Sequence, residues 1–310
     1  AECRLLADNA RIRLDNAYSA PIGEVRRLAH RVADAITEAT GRKGFAAGRI
    51  VMVGSRSGHK ELYLADSDGQ SLTQLTKDRS VSVSPKWGPD SHIVYTSFLK
   101  GYPDVYRVNI VSGNRDRISN LAGLNTGADI SPDGREIVLV LSKDGNPEIY
   151  TKKLRTGALT RVTRTRGAAE ASPNWSPDGR KIVYVADGTG RPQLYTINRS
   201  SSKGIRVPIS GSENVSPDWG DNGKIAYSTR LGGRYQIAVF DPKTRKHKVV
   251  PTSDNANYED PSWAPNGRHI ACTRTQNYRS QVYILDTLGD APLPLTTIQG
   301  DWFSPSWSPP

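Results

Sequence analysis

The chain has 310 residues, and its 42 lysines and arginines outnumber 31 acidic residues, which gives a formal net charge of +11. Its 28 glycines and 20 prolines are typical of a turn-rich β protein and exclude a disordered chain. No apolar run approaches the roughly 20 residues that a membrane-spanning helix needs.

Residues 1–47 are predicted to form a small α/β segment. Apolar residues in 4–14 favour a strand or a bent strand pair, and a helix follows in which apolar residues recur every three or four positions until Gly41. One strand pair and one helix cannot bury a core alone. The segment therefore docks on the rest of the chain or is the tail of a domain that begins upstream, and we favour the second. Residues 1–20 are charged throughout and show no secretory signal, so a processed product, a fragment or a cytosolic protein fits.

A repeat of about 44 residues occupies the rest of the chain. Its fullest copy, residues 172–179, reads Ser-Pro-Asn-Trp-Ser-Pro-Asp-Gly, and an apolar stretch at 181–185 follows it. The tryptophan of this motif, or an isoleucine in its place, recurs at intervals of 43 to 45 residues, at Trp87, Ile130, Trp175, Trp219, Trp263 and Trp307. A fixed period in this range indicates a repeat architecture.

Each repeat predicts four short antiparallel strands. In the Pro-Asp-Gly corner, proline presets φ, aspartate accepts nearby backbone N–H groups and glycine tolerates positive φ, so the chain turns between two strands there. The stretch 181–185 is apolar on both faces, as in a strand covered from both sides. Four strands per 44 residues, stacked radially, is the design of a propeller blade.

Residues 48–310 are predicted to close into a six-bladed β-propeller of WD40-like repeats. The last tryptophan motif, residues 304–309, has no strands after it, whereas the strand predicted at 49–53 has no motif before it. One blade is therefore expected to be divided between the two ends of this region. The returning strand would remove the open sheet edge.

The loops leading into the innermost strands are expected to meet at one mouth of the ring. Polar and acidic side chains on rigidly held loops favour a partner-binding surface, so we predict an acidic mouth on a basic body. The alternative is that these acids only accept backbone N–H bonds in tight turns. The candidate partner-binding residues are Asn125, Thr126, Glu170, Ser172, Glu213, Asn214, Tyr258, Glu259, Asp260, Asp301 and Trp302.

Residues 151–208 contain twelve lysines and arginines and three acidic residues. Such a stretch could bind a polyanion or an anionic envelope surface, or it could be a solvated outer edge.

No enzyme signature is visible, and we predict a protein without catalytic activity, metal or cofactor. Residues 54–58 carry arginine where a nucleophile elbow carries serine, and the five histidines are scattered without partners at metal-ligand spacing. Residues 66–69 begin like a calcium loop but lack its later ligands, so a hairpin turn is favoured.

Two further observations limit the function. Every tryptophan except Trp302 belongs to the repeat, so a stacking platform for nucleic acid is not expected. Cys272 lies in a predicted strand and is expected to be a buried free thiol, although a disulfide with Cys3 is an alternative.

The repeat Trp-Ser-Pro-Asp-Gly-x-x-Ile-x-Tyr with a divided blade resembles the TolB-type propeller of the bacterial Tol–Pal envelope system. Residues 5–9, residues 28–34 and the closing motif 304–309 are also similar to stretches of that family. The resemblance implies a periplasmic, monomeric, non-catalytic scaffold that supports outer-membrane integrity during division. It also implies a Pal-like peptidoglycan-associated lipoprotein bound at the propeller mouth and a TolA-like protein bound through an N-terminal extension. The alternative is the propeller domain of a peptidase or polysaccharide-lyase type enzyme.

The resemblance places two mouth positions of the family on Asn125 and Ser172. The family has a histidine and a glutamate at these positions. The detailed contacts of the family therefore do not carry over to this sequence residue by residue, although Glu170, Glu259 and Asp260 could supply acids nearby.

Overall fold

The N-terminal unit is a hairpin followed by a helix. The computed structural model describes residues 2–6, 12–201 and 203–309, so residues 7–9 of the family-like stretch lie outside the described residues. The unit contains β1 (Glu2–Leu6), β2 (Ile12–Ala17), a 3-10 turn (Ile22–Glu24) and α1 (Val25–Ala39). Strands β1 and β2 pair antiparallel.

Helix α1 docks on blade 1 of the propeller through ionic side chains. Asp68, in the turn at 66–69, accepts bonds from Arg26 and from Nε2 of His30, the latter at 2.9 Å. Within the linker that follows α1, the backbone N–H groups of residues 45–47 all donate to the carboxylate of Asp34 at 2.7 Å. The turn that resembles a calcium loop is therefore a docking point for the helix.

Each repeat forms one four-stranded antiparallel sheet. Blade 1 contains β26 (Trp302–Trp307), β3 (Arg49–Gly54), β4 (Glu61–Asp66) and β5 (Thr73–Gln74). Blade 2 contains β6 (Ser82–Trp87), β7 (His92–Ser97), β8 (Asp104–Asn109) and β9 (Arg115–Ser119). Blade 3 contains β10 (Asn125–Ile130), β11 (Glu136–Leu141), β12 (Glu148–Lys153) and β13 (Leu159–Arg161).

The other three blades have the same order of strands from the axis outward. Blade 4 contains β14 (Glu170–Trp175), β15 (Lys181–Ala186), β16 (Gln193–Asn198) and β17 (Ile205–Arg206). Blade 5 contains β18 (Asn214–Trp219), β19 (Ile225–Leu231), β20 (Arg234–Asp241) and β21 (Lys246–Val249). Blade 6 contains β22 (Asn257–Trp263), β23 (His269–Gln276), β24 (Arg279–Asp286) and β25 (Leu293–Pro294). The predicted fold class, a six-bladed β-propeller with a small N-terminal α/β segment, is confirmed.

The hydrophobic core lies between blades. Among the described residues, six buried clusters occupy the six junctions between neighbouring blades. Second strands are therefore covered on both faces, and Ile182 and Val183, which point to opposite faces of β15, are both fully buried. Cys272 is a buried free thiol in one of these clusters, and Cys3 is also free.

The C-terminal strand closes the ring. Strand β26 pairs antiparallel with β3, with Phe303 opposite Val53 and Trp307 opposite Ile50. This pairing joins segments about 250 residues apart and covers the free edge of the first blade. The predicted division of one blade between the two ends of the propeller is confirmed.

Candidate partner-binding mouth

A bulge interrupts all six innermost strands at the same point and forms the narrow part of the axial channel. Pairing with the second strand shifts there by one residue in each blade. The residue at the bulge has a left-handed backbone, with φ between 44° and 56°, at Ser84, Gly127, Ser172, Ser216, Asp260 and Ser304. These residues and the prolines beside them line a space of about 100 Å³. Non-glycine residues are uncommon in this conformation, and bulges re-aim side chains.

A belt of hydrogen bonds around the channel joins neighbouring blades. The backbone N–H of each motif tryptophan donates to the polar side chain that precedes the motif tryptophan, or Ile130 in blade 3, of the previous blade. The pairs are Trp87 with Ser306 at 3.0 Å, Trp175 with Asp129 at 2.8 Å, Trp219 with Asn174 at 2.5 Å, Trp263 with Asp218 at 2.8 Å and Trp307 with Ser262 at 3.0 Å.

Lys86 occupies the sixth position of the belt and cannot accept such a bond. Its ammonium instead crosses the channel from blade 2 to blade 5 and lies 2.6 Å from Oδ1 of Asp218. Burial works to lower the pKa of Lys86, but the carboxylates of Asp218 and Asp129 outweigh it and raise that pKa. Lys86 is therefore a charged strut between opposite blades.

Asp129 is the most deeply buried carboxyl facing this strut. Its Oδ2 accepts bonds from the amide of Asn174 at 2.9 Å and from the N–H of Trp175. Burial raises the pKa of Asp129 to about 7, although the charge of Lys86 works in the opposite direction. Asp129 therefore titrates near neutral pH.

The acidic side of the channel continues to the bulges. The carboxylate of Asp260 accepts the hydroxyl protons of Ser216 and Ser304, both at 2.8 Å. Burial raises the pKa of the adjacent Glu259, and the charge of Asp260 adds to this effect. The channel thus collects carboxylates around a single lysine.

Five of the predicted mouth residues are buried. They occupy the same position in five blades, at or beside the start of the innermost strand, where the side chain turns into the blade junction. They are Asn125, Glu170, Asn214, Tyr258 and Trp302, each at most 2% exposed. For example, both amide atoms of Asn125 are bonded within residues 119–123. In this conformation these side chains shape the loops and offer no surface to a partner.

The other six predicted residues are half-buried and lie along the channel or its rim. Thr126 bonds the hydroxyl of Thr96 at 2.9 Å, and Ser172 and Asp260 are bulge residues. The remaining three are Glu213, Glu259 and Asp301. Their role in partner binding stays a prediction.

The rim of the mouth is basic, because a second set of loops opens there. Backbone bonds tie the loops between second and third strands to the loops that lead into the innermost strands, as in Phe98 N to Val81 O at 2.9 Å. Exposed bases on these two sets are Arg56, Lys60, Lys77, Arg79, Lys100, Lys143, Arg164, Arg166 and Arg191. Acids on the same loops are fewer: Asp144 is exposed and lies 2.7 Å from Lys143, Glu213 is bonded to Arg230, and Asp78, Asp187, Asp254 and Asp301 are half-buried. The expectation of an acidic mouth is wrong for the rim, since the acidity lies inside the channel.

Sequence reasoning missed Lys86, Asp129 and Asp218. A signal was present, because each precedes the tryptophan position of its repeat and these positions are polar in all six repeats. Over the described ranges, no three His, Cys, Asp or Glu side chains are grouped as a metal site requires. In the same part of the chain, no helix is long and apolar enough to cross a membrane. The basic residues of 151–208 belong to blades 3 and 4.

A closed ring of six four-stranded blades around a narrow polar channel defines a six-bladed β-propeller. The family described as the TolB beta propeller domain matches residues 36–310. The chain therefore belongs to the TolB β-propeller family.

Individual relatives agree with this assignment. The Tol-Pal system protein TolB of Gluconobacter oxydans (strain 621H) is 31% identical over an alignment of 310 positions. The alignment covers 94% of this chain and 67% of that protein. A protein TolB homolog of Chlorobium luteolum is 36% identical over 168 residues, or 52% of this chain and 37% of that protein. The crystal structure of TolB from Acinetobacter baumannii superposes with a TM-score of 0.88 at 30% identity, covering 99% of this chain and 78% of that one.

Proposed function

We propose that the chain is a non-catalytic periplasmic scaffold of a Tol–Pal envelope system. In this proposal it binds a Pal-like peptidoglycan-associated lipoprotein through the propeller mouth and so supports outer-membrane integrity during division. The relatives named TolB support the system, and the geometry of the two ends of the ring supports the mouth. Engagement of a TolA-like protein through an N-terminal extension, and a monomeric state, stay predictions.

The observation that carries the proposal is that the two ends of the channel are not equally free. At the tryptophan end, the linker after α1 covers part of the ring, and Phe45 packs on Trp307 and His269 with ring centroids 5.8 and 4.7 Å apart. At the bulge end, the loops of all six blades are open. Part of the border of the tryptophan end is therefore already occupied by this chain, although a space lined by all six blades stays open there, whereas in the described ranges no segment outside the blades packs on the loops of the bulge end.

A rigid ring suits this role. Specific interfaces bury roughly 1,200–2,000 Å², and loops held by six interlocked blades can present such an area without reorganising on binding. The five histidines lie on separate elements: His30 on α1, His59 on the loop at 55–60, His92 and His269 at the starts of β7 and β23, and His247 in the outermost strand β21. No observation therefore favours the enzymatic alternative.

Hydrogen exchange of the wild-type chain with and without the soluble domain of the Pal-like lipoprotein tests the proposal. We expect slower exchange in the mouth loops at 77–83, 98–103 and 164–171, and no change in the turns at 110–114 and 155–158 of the opposite end. Absence of binding would contradict the partner. Protection confined to the opposite end would contradict the mouth.

A further inference from the structure

We infer that one sector of the mouth, on blade 2, is the main docking point for an acidic protein domain with an apolar patch. This sector, the blade 2 lip, consists of Val81, Phe98, Leu99 and Tyr102. The inference deepens the proposed function and depends on it, because the partner is taken to be the domain bound at the mouth.

Large apolar side chains are exposed together at the lip. Val81, Phe98 and Leu99 are 39%, 37% and 36% exposed, and Tyr102 is 76% exposed. The bond from Phe98 N to Val81 O holds the two contributing loops side by side, and the bond from Gly101 N to Phe98 O closes a tight turn. The apolar side chains are therefore presented on a fixed backbone, which lowers the entropy lost on binding.

The lip differs from the equivalent loops of blades 1, 3 and 4, and in blade 6 the shorter loop carries one exposed aromatic residue, Tyr278. The loop between second and third strands reads Phe-Leu-Lys-Gly-Tyr-Pro at 98–103 in blade 2. In blades 1, 3 and 4 it reads Ser-Arg-Ser-Gly-His-Lys at 55–60, Ser-Lys-Asp-Gly-Asn-Pro at 142–147 and Asp-Gly-Thr-Gly-Arg-Pro at 187–192. All four loops make the same turn, so the fold does not require apolar residues at this place. Exposed apolar patches rimmed by polar residues mark interaction sites.

The exposed charge around the lip is positive. The exposed bases Lys60, Lys77, Arg79 and Lys100 lie on the loops that form or adjoin it. Lys60 is placed beside the lip by the bond from Ser82 N to its carbonyl oxygen at 2.7 Å.

Of the acids nearby, Glu61 is buried and accepts the backbone N–H of Arg79 at 2.7 Å, and two others are paired with arginines. Asp78 lies 2.7 Å from a guanidinium nitrogen of Arg115, and Asp104 is buried against Arg117 at 2.6 Å. Among the described residues, none of the four bases around the lip takes part in an ion pair.

This chemistry specifies the partner. Tyrosine, phenylalanine and arginine are enriched where interfaces gain most of their affinity, and a polar rim surrounds such centres. A basic rim around an apolar centre complements a protein surface whose apolar patch is bordered by carboxylates, and it speeds association with such a surface.

Calorimetric titration with the soluble domain of the Pal-like lipoprotein tests the lip. We expect Tyr102→Ala to raise Kd by about tenfold or more, because truncation removes an exposed aromatic anchor. We expect Lys100→Glu to raise Kd by a similar factor and to weaken the dependence of affinity on salt. Val111→Ala is the matched control, since Val111 is 79% exposed on the same blade at the opposite end. It should leave Kd within about twofold of the wild type.

The outcomes separate the two proposals. If both lip variants bind the domain as tightly as the wild type does, the lip is not the docking point, but the mouth can still be the partner site. A wild type that does not bind the domain would overturn both. Equal weakening by Val111→Ala and by the lip variants would also overturn the lip. Thermal unfolding of each variant shows whether the fold is intact.

Discussion

The innermost strands and the mouth loops differ in how strictly the repeat constrains them. Every innermost strand has the same bulge, and five of the six belt positions accept the same bond from the next blade. The sixth, Lys86, reaches across the channel instead. The loops between second and third strands share a turn but vary from apolar in blade 2 to polar in blades 1, 3 and 4. Strands that must interlock on both sides tolerate little variation, whereas loops that face solvent on a fixed scaffold are free to acquire binding chemistry.

The strongest effect on stability tests whether Trp302 belongs to the packed blade junction or to the surface of the mouth. Trp302 is fully buried, and its ring lies edge-on to Tyr63 with centroids 5.0 Å apart. We expect Trp302→Ala to lower the free energy of unfolding by about 3–5 kcal/mol, because it leaves a cavity in the blade junction. Denaturant unfolding followed by circular dichroism measures this, with the fully exposed Tyr278 changed to Ala as control. A variant that unfolds like the wild type would make Trp302 a surface residue.

The second effect tests the contact of Lys86 with Asp218 across the channel. Lys86→Met would leave Asp218 and Asp129 without their shared cation, so we expect a loss of about 3 kcal/mol in unfolding free energy at pH 8. Lys86→Arg keeps the charge and should lose less than half of that. Equal stability of the Met variant and the wild type would show that the contact of the Lys86 ammonium across the channel does not stabilise the ring.

A smaller effect, which depends on pH, tests the raised pKa of Asp129 in the channel. A carboxyl whose pKa rises from 3.8 to about 7 on folding stabilises the fold at low pH, and this contribution is lost as pH rises through about 7. Asp129→Asn keeps an acceptor for the N–H of Trp175 and removes the titration. Its stability relative to the wild type should therefore increase by on the order of 2 kcal/mol between pH 5 and pH 8. Urea unfolding at a series of pH values measures this difference, and a difference that does not change with pH would refute the assignment.

The smallest effect on stability is expected at the lip. Because Tyr102 is mostly exposed, Tyr102→Ala should change the free energy of unfolding by no more than about 0.5 kcal/mol while weakening partner binding. The same unfolding curves provide the measurement. A loss of several kcal/mol would show that Tyr102 belongs to the packed interior and not to the exposed binding surface.

The candidate site was only partly predictable, for a reason visible in single residues. The chain order of the loops is enough to bring Glu213, Glu259 and Asp301 to one end of the ring. It does not reveal that Glu170 and Asn214 turn into the blade junction, because one step along a strand reverses the direction of a side chain. The basic rim was missed because the loops between second and third strands open at the same end, and only the sheet topology shows this.

The number of blades, the boundaries of most strands and the closure of the ring could all be predicted from the residues alone. A 44-residue period, a turn motif that stops one strand and starts the next, and an unmatched motif at the end admit few other arrangements. Tertiary structure alone decided which residues meet across the channel. Lys86 and Asp218 are 132 positions apart and lie on opposite blades, so no local pattern pairs them. Their contact exists because six wedge-shaped sheets close around one axis.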